Sequence, residues 1–176
     1  MSIIDAVSCM LEIYLDQTAL SSYSKTFFHS KKIPRIPIGS YLNRLKQYMK
    51  CSEECYVLAL IYIDRISTKH NSFVVNSLCI HRLILAAVML SAKFSEDKFY
   101  KNSYYAKVGG ISCTEMNSLE HQFLIMIEFD LYVSEKEFQL YLSTLINNFG
   151  ISQNEVEDDV NKNHQEIVQE ELIAKV

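Results

Sequence analysis

The chain has 176 residues, 49% of them hydrophobic, with only two prolines and four glycines. That length supports one domain with its own core, and the composition excludes a disordered or collagen-like chain. Seven of the 21 acidic and two of the 17 basic residues fall in 151–176, a balance of −5 that leaves 14 acids against 15 bases, or +1, elsewhere. A near-neutral body makes no broad field for a polyanion, which argues against nucleic acid as a partner.

The odd set Cys9, Cys51, Cys55, Cys79 and Cys113 lies mostly in apolar stretches and forms no regular framework. It reads as a reduced, intracellular protein of the cytoplasm or nucleus. The first thirty residues have no basic start leading into an apolar run, so they do not read as a secretory signal. The longest strongly apolar run, Leu83 to Leu90, is too short for a bilayer, and a soluble protein without a membrane partner is expected.

In chain order, residues 1–32 form an N-terminal segment with a helix near 3–15, and Pro34 and Pro37 separate it from the main body of the chain. Residues 33–150 show helical periodicity near 38–50, 53–69, 77–94, 113–129 and 135–148, with a short helix near 101–108. The pattern is all-α. Ser52-Glu53-Glu54 places a cap and two carboxylates at one helix start, and Asn76 can cap another. Ser112 to Glu115 and Ser134 to Glu137 match the capping box. The segment Leu78 to Phe94 is apolar nearly all round, the signature of a helix enclosed by others. Gly109 and Gly110 can turn left-handed to end one helix just before Ser112 begins the next. Residues 151–176 read as an acidic tail, part disordered and part marginal helix.

Few residues offer catalytic or metal chemistry. Cys51 and Cys55 stand at i and i+4, but no second pair at zinc-finger spacing accompanies them, so they read as core thiols. His81, His121 and Cys113 sit in no catalytic motif, and Asp158-Asp159 lacks the alternating oxygens and glycine of a calcium loop. No catalytic residue, metal or cofactor is expected.

Charged residues inside apolar patterns are more informative. Glu120 falls within the stripe Met116, Leu119, Phe123, Leu124 and Ile127, and Lys93 continues the surface of Met89 and Leu90. Either the two pair with one another, since an isolated buried carboxylate costs several kcal/mol, or both reach water at the edge of their stripes. Arg44 in YLNRL and Asp64 in IYIDRI pose the same question, and a bridge between adjacent helices would satisfy both.

The blocks FFHSKKIPRIPIGSYLNRL, CSEECYVLALIYIDRI, FVVNSLCIHRLILAAVMLSAKF, YYAKVGGISCTEMNSLEHQFL and FDLYVSEKEFQLYL resemble the cyclins, in particular the PHO80-like group that includes the plant P- and U-type cyclins. The resemblance covers about residues 27–142. It implies a cyclin box, five helices around a central third helix, flanked here by the N-terminal helix and the tail. It also implies a non-catalytic subunit that activates a cyclin-dependent kinase, of the PHO85-like type, in cell-cycle or nutrient signalling, and that is monomeric without the kinase. Lys93 and Glu120 match the family's kinase-contacting pair, with Phe94, Phe99, Tyr100 and the Tyr104-Tyr105 edge as apolar anchors. Arg44 and Asp64 match its internal bridge. The competing expectation is a cyclin-box adaptor that binds protein partners without a kinase.

Overall fold

A computed structural model describes residues 1–18 and 25–151, which form seven helices and no strand. They are α1 (Ile3–Thr18), α2 (Ile38–Met49), α3 (Glu54–Lys69), α4 (Ile80–Ser95), α5 (Asn102–Gly109), α6 (Cys113–Met126) and α7 (Glu135–Phe149). None is long and apolar enough to cross a membrane.

Helix α4 is the hub expected from its sequence: every residue from Leu83 to Ala92 is buried, and α2, α3, α5 and α6 all pack on it. Ala86, Ala87 and Ala92 let neighbouring backbones come close, while Leu83, Leu85, Val88 and Met89 fill the gaps between them. The one polar group in that run, Ser91, is fully buried, with its hydroxyl 2.8 Å from the Cys55 carbonyl and 2.9 Å from that of Val88. No donor is left unmade there. Helix α1 adds Ile3, Ile4, Val7 and Leu11 to the same core by packing on α2, α3 and α7. Its far end is tied by Thr18, whose hydroxyl donates to the Val75 carbonyl at 2.8 Å.

The helix starts differ in detail from the sequence pattern. Ser112 and Ser134 do cap, accepting from the Glu115 and Glu137 amides at 3.0 and 3.3 Å. The glutamate halves of both boxes turn outward, however, to Arg82 on α4 and Arg65 on α3, because a full positive charge is a stronger partner than a backbone amide. The box that closes reciprocally is Ser2 with Asp5 at α1, which the sequence pattern did not single out. At α3 the expected Ser52 side-chain cap gives way to Glu96, which reaches from the end of α4 to accept from the Ser52 amide at 2.9 Å and the Cys55 thiol at 3.3 Å. Asn76 accepts from the Leu78 amide at 3.0 Å and so caps the turn that leads into α4.

The two adjacent glycines do different jobs. Gly110 takes φ +73° and ends α5 as a left-handed cap. Gly109 is helical, and a Cβ there would lie 2.2 Å from Leu85 Cδ2, so it is the point at which α5 touches the hub. Gly109→Ala is therefore expected to cost about 1–3 kcal/mol through overpacking, whereas Gly110→Ala costs about 1 kcal/mol through backbone strain. Urea unfolding of the two variants beside the wild type checks the order.

Two histidines are held neutral by burial. His29 Nδ1 accepts the Thr26 amide at 3.0 Å, and His81 Nε2 donates to the Ile36 carbonyl at 2.8 Å; burial lowers both pKa values. The unfolded chain thus binds more protons below pH ~6.5, and stability must fall as pH drops from there toward the folded-state pKa values. Thermal melts between pH 7.5 and 5.5 should show that loss, with a shallower slope in His29→Gln and His81→Gln.

Candidate protein-docking site

The last turn of α4, the start of α5 and the middle of α6 converge on one polar cluster at the rim of the apolar core. Glu120 follows the buried Met116 and Leu119 on α6 and meets the end of α4, where Lys93 is the first residue after the buried run. Lys93 Nζ lies 2.6 Å from Glu120 Oε1 and 2.5 Å from Asn102 Oδ1. Asn102 closes the ring by donating from Nδ2 to Glu120 Oε2 at 2.6 Å and to Asn117 Oδ1 at 2.8 Å. The side chains of Lys93 and Glu120 are 22% and 21% exposed. Of the two readings that the sequence left open, the structure selects the pair.

Each member of this ring holds the others, so little rotamer freedom remains to be lost when a partner binds. Asn102 does not stand out in the sequence, since an amide at the first turn of a helix reads as an ordinary start signal. Only its three-dimensional position between two charges distinguishes it.

Beside the ring lies an aromatic edge. Phe94 and Phe99 are 54% and 56% exposed, and Tyr100 and Tyr48 add partly exposed rings. Tyr100 stacks on Tyr104 with centroids 4.2 Å apart and 24° between planes. Tyr104 is half-buried and donates to the Tyr48 carbonyl at 2.6 Å, while the Tyr105 hydroxyl accepts the Tyr100 amide at 3.1 Å. Tyr104 and Tyr105 thereby fix Tyr100, and the loop between α4 and α5 presents its apolar rings on a braced backbone.

The hydrogen bond to Cys55, together with burial, pushes the Cys51 thiol well up, so the metal-binding thiolate is disfavoured at neutral pH. Among the described residues no group of three His, Cys, Asp or Glu side chains could hold a metal ion.

The expected bridge between Arg44 and Asp64 does not form. Both are exposed; α2 packs mainly on α1, α4 and α5, whereas α3 packs on α4, α1 and α7, so the two side chains face different neighbours. Asp64 instead accepts from the Tyr141 hydroxyl on α7 at 2.5 Å. The arginine that ties helices together is the adjacent Arg65. It makes a forked contact with Glu137 at 2.7 and 3.3 Å, and donates to the Asp130 and Tyr132 carbonyls at 2.8 and 2.9 Å.

Around it Tyr62 donates to the Leu131 carbonyl at 2.8 Å, His70 to that of Met126 at 2.8 Å and Lys69 to that of Ile127 at 3.3 Å. One face of α3 thus takes up the free carbonyls where α6 ends. That end comes at Met126 and not at the expected 129, because Glu128 and Phe129 both turn left-handed, with φ 59°. Phe129 is consequently turned outward and is 66% exposed.

A family model described as Cyclin matches residues 7–131. The chain is 44% identical over 129 residues to Cyclin-U4-1 of Arabidopsis thaliana, covering 73% of this chain and 64% of that protein. It is 45% identical over 112 residues to Cyclin-P4-1 of Oryza sativa subsp. japonica, covering 64% and 53% respectively. To PHO85 cyclin-7 of Saccharomyces cerevisiae it is 43% identical over 129 residues, covering 67% and 45%. The chain therefore spans 45% to 64% of the length of these relatives.

Truncating Arg65 leaves Glu137 and two backbone carbonyls without their donor, so Arg65→Ala should lose about 2–4 kcal/mol of stability. Arg44→Ala should stay within about 0.5 kcal/mol, as an exposed substitution does. Chemical denaturation of both variants decides which arginine is structural.

Proposed function

The chain belongs to the cyclin family, and on that premise we propose that it is a regulatory subunit that binds a cyclin-dependent protein kinase and holds the kinase C helix in its active position. The observation that carries this reading is the closed ring of Lys93, Glu120 and Asn102 beside the exposed rings of Phe94, Phe99 and Tyr100. An ammonium and a carboxylate held in fixed register can satisfy backbone groups of a partner without a second ordering cost. Exposed aromatic side chains around such a polar centre supply the apolar contacts that dominate binding energy.

A kinase is active only when its β3 lysine pairs with the C-helix glutamate, and that pairing is lost when the helix swings out. A rigid surface complementary to the inward helix shifts the equilibrium by its differential affinity for the two states. Moving the kinase from one part in a hundred active to nearly all active requires a preference of about 10⁴. Packing of α4 against four other helices gives this surface the stiffness to discriminate in that way. The similarity to a PHO85 cyclin supports a kinase of that type, in the cytoplasm or nucleus, acting in cell-cycle or nutrient signalling.

The test is capture of kinase from the native extract by the full chain, followed by phosphorylation assays on the bound fraction. Wild type is expected to retain and activate a kinase. Lys93→Ala/Glu120→Ala and Phe99→Ser/Tyr100→Ser should each weaken binding at least tenfold, with helicity and melting temperature kept as the control on folding. No kinase held by wild type would overturn the proposal in favour of the adaptor, and undiminished binding by both variants would displace the interface to another face.

A further inference from the structure

Arg44, which the fold leaves without its expected bridge, stands on the flank of α2 that faces α5. Two tyrosine hydroxyls stitch these helices together: Tyr41 donates to the Gly109 carbonyl at 3.3 Å and Tyr104 to the Tyr48 carbonyl at 2.6 Å. The earlier α2 residue meets the later α5 residue, so the helices run in opposing directions along the seam, and packed axes lie about 8–10 Å apart.

Arg44 lies between the two stitches on α2, and Lys107 lies between them on α5. Leu42, Leu45 and Met49 turn the apolar stripe of α2 into the core, which at about 100° per residue leaves Arg44 and Tyr48 together on the flank toward α5. Lys101, Tyr104 and Lys107 recur at every third position and form the facing wall. Burial raises the pKa of the Tyr41 hydroxyl, and the charge of Arg44, then that of Arg82, opposes the rise, as a guanidinium close to the seam must. Both helices thus offer a cation to one groove.

These cations are not neutralised. Arg82 is bound to Glu115 and Lys46 to Glu53, but among the described residues Arg44, Lys101 and Lys107 pair with no carboxylate, and all three are exposed. Like charges held side by side repel, and an anion between them removes that repulsion. A forked guanidinium beside a compact ammonium matches a tetrahedral dianion better than a single carboxylate. A phosphate monoester, with a charge of about −1.5 to −2 at pH 7, is such a group.

We propose that the α2–α5 seam is a binding site for a phosphorylated protein segment, with the phosphate between Arg44 and Lys107, and Tyr48 and Lys101 beside the residues that flank it. The anion chemistry comes from the two helices alone; the choice of a protein segment as carrier rests on the kinase reading above, because phosphorylated segments are what a protein kinase makes. The seam adjoins the stacked Tyr100 and Tyr104 of the proposed kinase surface. A segment held there by one phosphate keeps its remaining hydroxyls near the kinase at raised effective concentration, so partly phosphorylated substrates are retained for further rounds. Two or three cations make a local field, not the broad one that nucleic acid requires.

The experiment is an NMR titration of the ¹⁵N-labelled full chain at pH 7.5 and low salt. Its probes are a synthetic peptide of alanine, glutamate and one central phosphothreonine, the same peptide without the phosphate, and inorganic phosphate. Amide shifts are expected to concentrate in 41–50 and 101–110, with the phosphopeptide bound at least fivefold more tightly than either comparison probe. Arg44→Ala/Lys107→Ala should lose at least tenfold in affinity, and Arg44→Lys should lose part of it, since charge remains but the fork does not. Lys25→Glu/Lys136→Glu, a larger change of net charge at other exposed positions, should stay within twofold of wild type. Equal binding of the peptide with and without phosphate, or full affinity in Arg44→Ala/Lys107→Ala, would overturn the proposal. Inorganic phosphate bound as tightly as the phosphopeptide would overturn the protein segment as ligand. A chain that binds the phosphopeptide but captures no kinase retains the anion site and loses the kinase reading, whereas the converse result removes this site alone.

Discussion

Everything in this molecule depends on enclosing α4. A helix without a solvent face must be surrounded, and the run from Leu83 to Ala92 has no exposed residue. Each buried Leu, Ile, Val or Met there contributes on the order of 1.5–3 kcal/mol, so the loss of any covering helix exposes several such side chains at once. Helix α3 packs most extensively on α4, while α2, α5 and α6 complete the enclosure by packing as closely on one another or on α1. The contact of Gly109 with Leu85 illustrates the closeness required: α5 is short and gains its place by lying against the hub at a position where a methyl group would not fit.

Polar groups finish what apolar burial begins. Helix ends leave carbonyls and amides unsatisfied, and in this protein many of them are met by side chains from a different helix. Glu96 at the end of α4 caps α3, and the face of α3 carrying Tyr62, Arg65, Lys69 and His70 takes up the carbonyls at the end of α6. Those bonds hold Glu128 and Phe129 in a left-handed conformation that costs ordinary residues roughly 1–2 kcal/mol apiece, and they set the direction in which the chain enters α7. Capping here acts as tertiary structure.

The two ends of the hub then have different characters. At its C-terminal end, the closed ring of Lys93, Glu120 and Asn102 and the braced tyrosines make a mixed polar and aromatic surface. At its N-terminal end, the segment carrying Pro34 and Pro37 runs beside the start of α4 and leaves a small, largely apolar cleft.

Sequence by itself determined the all-α class, the number and approximate extent of the helices among the described residues, the identity of the hub and the partial burial of Glu120. These follow from periodicity and local chemistry, which act over a few residues and survive without knowledge of neighbours. The family resemblance and the positions of the candidate docking residues were likewise readable from continuous motifs. Tertiary structure alone decided which partner each polar group takes. Arg44 and Arg65 both stand beside apolar residues, and nothing local tells which one faces another helix; the packing of α3 on α7 settles it for Arg65. Ser52 looks like a cap until Glu96 arrives from 44 positions away. Asn102 looks like a helix start until α4 and α6 place two charges around it. Gly109 looks like one half of a turn until Leu85 is seen above it. Partner choice depends on distances between elements, and those are set by how side-chain volumes fill the core, a property of the whole chain and not of any window within it.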